Sequence, residues 1–245
     1  MLALRSMLFN AGMVLFAVVF ALVGLLITPF PFRVRYGFIS HWARVTLWWL
    51  SVTCNLRFEV EGRDNIPDAT AIIFCKHQSA WETLALQLVF PPQVWLMKRE
   101  LLWIPFFGWG LAMLEPIAIN RSQGTQAIRQ LVEQGTARLR AGRWVVIFPE
   151  GTRVLPGQRG TYHKGGALLA EKSACPVVPV AHNAGEYWPR HGFMKKPGII
   201  RMVVGPTIVT AGRKASEINA LAEQWIESEM PRISAGARTP PMDAT

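Results

Sequence analysis

The sequence predicts an α/β fold: a mixed, mostly parallel sheet flanked by helices, with an N-terminal apolar helical hairpin that anchors to membrane. Two observations predict it. From about Leu56 onward, short apolar runs alternate with segments of helical spacing, the order that builds a largely parallel sheet. Ahead of them no residue between Arg5 and Arg33 is charged, and the core from Met7 to Phe30 exceeds the about 20 apolar residues a helix needs to cross a bilayer.

The N-terminal elements come first. A secretory signal is disfavoured, because the apolar run outlasts the usual stretch of about 7–15 residues and no small-x-small site follows it. Pro29 and Pro31 end the first helix. A second segment, Tyr36 to Asn55, carries no acidic residue and one Arg, Arg44, and its Trp42, Trp48 and Trp49 favour the headgroup level. Arg5, Arg33, Arg35, Arg44 and Arg57 all precede the first acid, Glu59. The pattern fits either one spanning helix or a hairpin in one leaflet. If the helix spans, the heavier Arg load after it puts the main domain in the cytoplasm, at the inner membrane.

In the main domain, Leu56 to Glu61, Ala71 to Cys75, Val94 to Met97, Ile117 to Ile119, Trp144 to Phe148, Val177 to Ala181 and Ile199 to Val204 read as strands. Thr83 to Phe90, Gly124 to Ala141, Gly165 to Ser173 and Ala215 to Glu229 read as helices. The expected organisation is an anchor over residues 1–55, an α/β domain over 56–232 and a flexible tail over 233–245, where Pro240 and Pro241 lie.

Composition bounds the partners. Charged residues make up 17% of the 245, against about 25% in an average soluble domain. Lys and Arg outnumber Asp and Glu by 26 to 16, a formal charge of +10 that favours an anionic partner. The low charge density, the apolar N-terminus and the lack of a finger, RNP or helix-turn-helix signature argue against nucleic acid, and anionic membrane lipid fits better. Cys54, Cys75 and Cys175 have no metal-type spacing and read as buried free thiols.

Two motifs follow strands, where sites in such sheets collect. The first is His77-x4-Glu82. On one helix these positions would lie about 140° apart, so they can meet only if His77 sits in the strand-to-helix loop and Glu82 in the first turn. Ser79-x-x-Glu82 fits a capping box with Ser79 as N-cap, so Glu82 has two readings: a helix cap, or the partner of a general-base imidazole whose tautomer it fixes. No Gly-x-Ser-x-Gly elbow is present, which disfavours a covalent acyl-enzyme. The second motif is Phe148-Pro149-Glu150-Gly151-Thr152-Arg153, which delivers a carboxylate, a Gly, a hydroxyl and a guanidinium to one sheet edge. Arg is the side chain best shaped to grip a phosphate.

With both motifs in view, the chain resembles the glycerolipid acyltransferase family, and within it the 1-acylglycerol-3-phosphate acyltransferases. KHQSAWE at 76–82, PIAINR at 116–121, FPEGTR at 148–153 and VVPVAHN at 177–183 carry the likeness in order, and the segment from Lys98 to Gly108 and the turn His163-Lys164-Gly165-Gly166 add to it. The resemblance implies that His77 is the general base and Glu82 its partner. It further implies that Arg121 and Arg153 bind the substrate phosphate, that Glu150, Gly151 and Thr152 shape that pocket, and that Lys98 and Lys164 add positive charge. Two positions depart from the family pattern, Lys76 in place of Asn and Glu82 in place of Asp. Lys76 is expected to depress the imidazole pKa or to add a phosphate contact.

The implied reaction moves a fatty acyl group from acyl-carrier protein or coenzyme A to the sn-2 hydroxyl of lysophosphatidic acid, giving phosphatidic acid, with no cofactor and no metal. Another lysophospholipid or a lyso-aminolipid as acceptor is the alternative, and a non-catalytic membrane-binding homologue is a third reading. The basic stretch Arg190, His191, Lys195, Lys196 and Arg201 fits an acyl-carrier protein or headgroup contact, and equally a solvated loop.

Overall fold

The computed structural model describes residues 1–120 and 123–236. The apolar N-terminus folds into two helices, α1 (Leu2–Ile27) and α2 (Phe32–Cys54), joined by the turn that Pro29 and Pro31 punctuate. α1 starts before Arg5 because that side chain lies on its exposed face. One stripe of α1, Ser6, Phe9, Met13, Phe16, Phe20, Gly24 and Ile27, is buried or half-buried at helical spacing along the whole element. Aromatic rings close the hairpin, with Phe16 and Trp49 6.2 Å apart and Phe20 and Phe38 5.1 Å apart.

The main domain is one sheet of seven strands: β1 (Leu56–Glu61), β2 (Ile72–Cys75), β3 (Gln93–Lys98), β4 (Ile117–Ile119), β5 (Trp144–Ile147), β6 (Val177–His182) and β7 (Gly198–Val204). Their spatial order is β1-β7-β6-β2-β5-β3-β4. β6, β2, β5, β3 and β4 run parallel, whereas β7 pairs antiparallel with β6 and parallel with β1. β2, β5 and most of β6 are wholly apolar and buried, as central parallel strands are.

Helices cover both faces. The hairpin, α3 (Trp81–Val89) and α4 (Phe107–Met113) pack together, and α5 (Thr125–Arg140), α6 (Gly165–Ser173) and α8 (Ala215–Ile233) form the other group. α7 (Ala184–Tyr187) is a single turn after β6. α4 and the 3-10 turn Arg99–Trp103 add elements to those expected from the periodicity. α8 runs past Glu229 and through Pro231 to the fully buried Ile233, after which Ser234 and Ala235 hydrogen-bond to Glu186.

Register decides where the site falls. Phe74 stands opposite Ile147 on one side and Pro179 on the other, so β2, β5 and β6 release their next residues from one sheet edge.

Candidate active site

His77 follows β2 in the loop before α3, and its side chain is 15% exposed. Its Nδ1 lies 2.8 Å from Glu82 Oε1 in the first turn of α3. The Glu82 carboxylate, fully buried, also accepts the N–H groups of Gln78 at 3.0 Å and Ser79 at 2.9 Å. The Glu82 carboxylate therefore meets both the His77 ring and the loop amides ahead of α3. The capping box is only half made, because Ser79 Oγ accepts from Trp81 N at 3.2 Å and the N-cap is Ala80 rather than Ser79. Burial raises the Glu82 pKa, but the His182 and His77 rings and the Ser79 N–H outweigh it and hold the carboxyl below its ordinary range. An ionised Glu82 fixes the proton on Nδ1 and leaves Nε2 of His77 as the basic nitrogen.

A second imidazole backs this pair. His182, at the end of β6, is fully buried, with Nε2 donating to the Lys76 carbonyl at 2.8 Å and Nδ1 accepting from Ala184 N at 3.2 Å. Those partners define a neutral ring, and burial pushes its pKa below the usual histidine value against the pull of Glu82. Its Nε2 stands 3.8 Å from Glu82 Oε2.

The loop after β5 clasps His77 from the other side. Glu150 Oε2 accepts the His77 N–H at 2.8 Å, Val154 N donates to the His77 carbonyl at 2.8 Å, and the Phe148 ring stacks on the imidazole with centroids 4.0 Å apart. Gly151 takes φ 65°, a left-handed conformation that glycine adopts without strain, as its N–H closes a turn onto Phe148 O at 2.9 Å.

Expectations for this loop divide. Glu150, read as part of a phosphate pocket, is buried and turned inward to the His77 amide and Lys76. Thr152 is exposed at the rim. Arg153 is half-buried, and its carbonyl accepts from Arg190 Nη1 at 3.0 Å, which brings one residue of the basic 190–201 stretch to the site. Lys98 is exposed at the carboxyl end of β3, on the same sheet edge. Lys164 is exposed at the N-cap of α6. There Gly166 lies so close to the sheet that a Cβ would stand 2.9 Å from the Phe74 ring. Arg121 lies outside the described residues.

Lys76 corrects its expectation. Its side chain is fully buried and its Nζ lies 2.6 Å from Glu150 Oε1 and 2.8 Å from Glu227 Oε1, so it points into the protein rather than at a substrate phosphate. Phe148, His182, Glu227 and Arg190 are the residues that motif reasoning does not assign to the site. The local signal for His182 is a polar residue ending an otherwise apolar strand, and Glu227 has none.

The family model described as Acyltransferase matches residues 57–183. A 1-acyl-sn-glycerol-3-phosphate acyltransferase of Pseudomonas aeruginosa is 46% identical over 237 residues, covering 95% of this chain and 92% of that protein. A protein of the same name from Cocos nucifera is 26% identical, covering 92% of this chain and 76% of its own. The crystal structure of the 1-acyl-sn-glycerophosphate acyltransferase from Thermotoga maritima has the same fold, with a TM-score of 0.81 at 21% identity and 97% of each chain covered.

Proposed function

We propose that this chain, which belongs to the acyltransferase family, is a membrane-bound enzyme that moves a fatty acyl group from an acyl thioester to the sn-2 hydroxyl of lysophosphatidic acid, giving phosphatidic acid. The observation that carries the reading is the His77–Glu82 pair held by a hydrogen bond and a ring contact to the loop after β5, which supports a base at His77 beside the loop that ends in Arg153. The Pseudomonas relative bears the matching name over nearly the whole chain.

The chemistry follows from the hydrogen bonds. With Nδ1–H held by Glu82, His77 Nε2 accepts the proton of the sn-2 hydroxyl as its oxygen attacks the thioester carbonyl. The tetrahedral adduct collapses by breaking the C–S bond, and the imidazolium returns its proton to the departing thiolate. Glu82 stabilises the imidazolium between the two steps. Arg153, with Arg121, Lys98 and Lys164, would hold the acceptor phosphate, and acyl-carrier protein or coenzyme A would carry the acyl group.

The apolar hairpin supports a site held against lipid. The face of α1 opposite its buried stripe exposes Leu4, Leu8, Leu15, Leu22 and Leu26, and Trp103, Phe107 and Trp109 on and before α4 extend the exposed apolar surface. A helix that packs along its whole length on the protein supports immersion in the plane of one leaflet rather than spanning. The exposed Arg33 and Arg44 and the formal charge of +10 favour the anionic cytoplasmic leaflet.

The test is acyl transfer by the full chain in lipid vesicles with lysophosphatidic acid, another lysophospholipid, a lyso-aminolipid and glycerol-3-phosphate as separate acceptors. Turnover should require lysophosphatidic acid, and Glu82→Gln, which can still accept from Ser79 N–H, should lose about 10³-fold or more in kcat. Turnover with glycerol-3-phosphate alone, or equal rates on all acceptors, would overturn the assignment.

A further inference from the structure

We propose that Lys76 is a positioning residue of the transfer reaction: it fixes Glu150, whose other oxygen holds the His77 amide, and it is itself fixed by Glu227 of the C-terminal helix. The inference rests on His77 acting as the base.

An ammonium has three N–H donors, and a buried one is tolerated only when they are met and its charge is offset. Lys76 Nζ donates to Glu227 Oε1 at 2.8 Å and to the Gln158 carbonyl at 3.3 Å, and its charge is offset by an ion pair with Glu150 Oε1 at 2.6 Å. The side chain is fully buried, so the ammonium faces these protein oxygens rather than a substrate. Glu227 is steadied in turn by Tyr162, whose hydroxyl donates to Oε1 at 3.0 Å. The chain of contacts therefore runs from α8 through Glu227, Lys76 and Glu150 to the backbone of the base.

Three hydrogen bonds hold His77, its amide to Glu150, its carbonyl to Val154 and its ring to Glu82. The first depends on a buried carboxylate paired with Lys76. Burial raises the Glu150 pKa, and Lys76 is the strongest opposing influence. Without Lys76, Glu150 either takes up a proton or turns toward water, and its grip on the His77 amide loosens. A base displaced by about 1 Å can cost about 10²-fold in rate without altering how substrate binds.

The experiment compares wild type, Lys76→Met, the double variant Lys76→Met/Glu150→Gln and Glu227→Gln, each as the full chain in vesicles, on the acceptor that wild type turns over fastest. Lys76→Met should lose about 10²-fold in kcat, with the KM for acceptor within about twofold. The amide introduced by Glu150→Gln can still accept the His77 N–H without carrying a charge that needs a partner, so the double variant should recover about 10-fold over Lys76→Met. Glu227→Gln keeps the acceptor oxygen but not the charge and should lose about 3-fold to 10-fold in kcat. That variant carries the test if Lys76→Met does not fold.

A kcat for Lys76→Met equal to wild type, a raised KM with kcat preserved, or a double variant no better than the single would overturn the inference. So would an unchanged kcat for Glu227→Gln. A purely structural role would lower the melting temperature and leave kcat per folded molecule intact. Failure of wild type on lysophosphatidic acid would overturn the proposed acceptor and leave the comparison readable on the acceptor it does use.

Discussion

The imidazole of His77 lies face to face with the phenyl ring of Phe148, with centroids 4.0 Å apart and planes 14° from parallel. The contact joins the two sequence motifs directly, because β2 and β5 pair with Phe74 opposite Ile147 and their next residues leave the sheet together. The phenyl face covers one side of the base and limits its rotation about the Nδ1 bond to Glu82. Ring contacts of this kind contribute about 0.5–1.5 kcal/mol, so Phe148→Ala should lower kcat about 10-fold with little change in KM. Phe148→Leu, which keeps bulk without the flat face, should fall between. An unchanged kcat in steady-state assays of Phe148→Ala would show that the ring is only a wall.

Arg153 and Arg190 meet through the Arg153 carbonyl, and their expected roles differ. Charge-assisted hydrogen bonds contribute about 1.5–3 kcal/mol each, so Arg153→Ala should raise the KM for lysophosphatidic acid about 10-fold to 100-fold. Arg153→Lys should restore only part of this, since an ammonium cannot make the paired contacts of a guanidinium. Arg190→Ala should act less, because its Nη1 steadies the loop rather than the ligand. An acceptor KM in Arg153→Ala equal to wild type would remove Arg153 from the phosphate site.

Stability should fall on acidification in two stages. His182 has a folded-state pKa depressed chiefly by burial, so below about pH 6.5 the unfolded chain takes up a proton that the folded ring refuses. Stability is then complete above that pH and declines as pH falls through the window toward the folded value. Glu82, also depressed, adds a second loss at lower pH, as its folded value is approached from above. His182→Asn removes the first titration while keeping a short polar side chain. Urea unfolding midpoints followed from about pH 8 to pH 5 should show a shallower slope for this variant, and an identical slope would dissociate His182 from the effect.

What the sequence reveals depends on how far apart the partners lie along the chain. Trp144–Ile147 and Val177–His182 are legible as strands because a central parallel strand is apolar on both faces, and His77 meets Glu82 because both sit at one strand-to-helix turn. Lys76 is not legible as a buried cation. A lysine is ordinarily exposed, and its partner Glu227 arrives 151 residues later, from a helix whose own pattern gives no sign of the contact. α4 escapes because Gly108 and Gly110 interrupt its seven residues. The helical spacing reads only as far as Glu229, yet α8 continues through Pro231 to Ile233, whose side chain is fully buried.

The exposed face of α1 carries the last prediction. Burying a Leu side chain contributes about 1.5–3 kcal/mol, so the double substitution Leu15→Glu/Leu22→Glu should weaken binding to anionic vesicles by about 10²-fold or more. Both side chains point away from the protein, so the melting temperature in detergent should stay close to wild type. Gly24→Leu tests the opposite face, since a Cβ there would stand 2.9 Å from Met113 Sδ on α4 and the rest of the leucine would press α1 away from α4. It should lower the melting temperature while leaving the lipid-facing leucines in place. Added salt should weaken the residual binding of the double variant more, in proportion, than that of wild type, because its attraction then rests on surface arginines that ions screen. Co-sedimentation with vesicles separates these cases, and wild-type binding by Leu15→Glu/Leu22→Glu would mean that another surface of the protein meets the membrane.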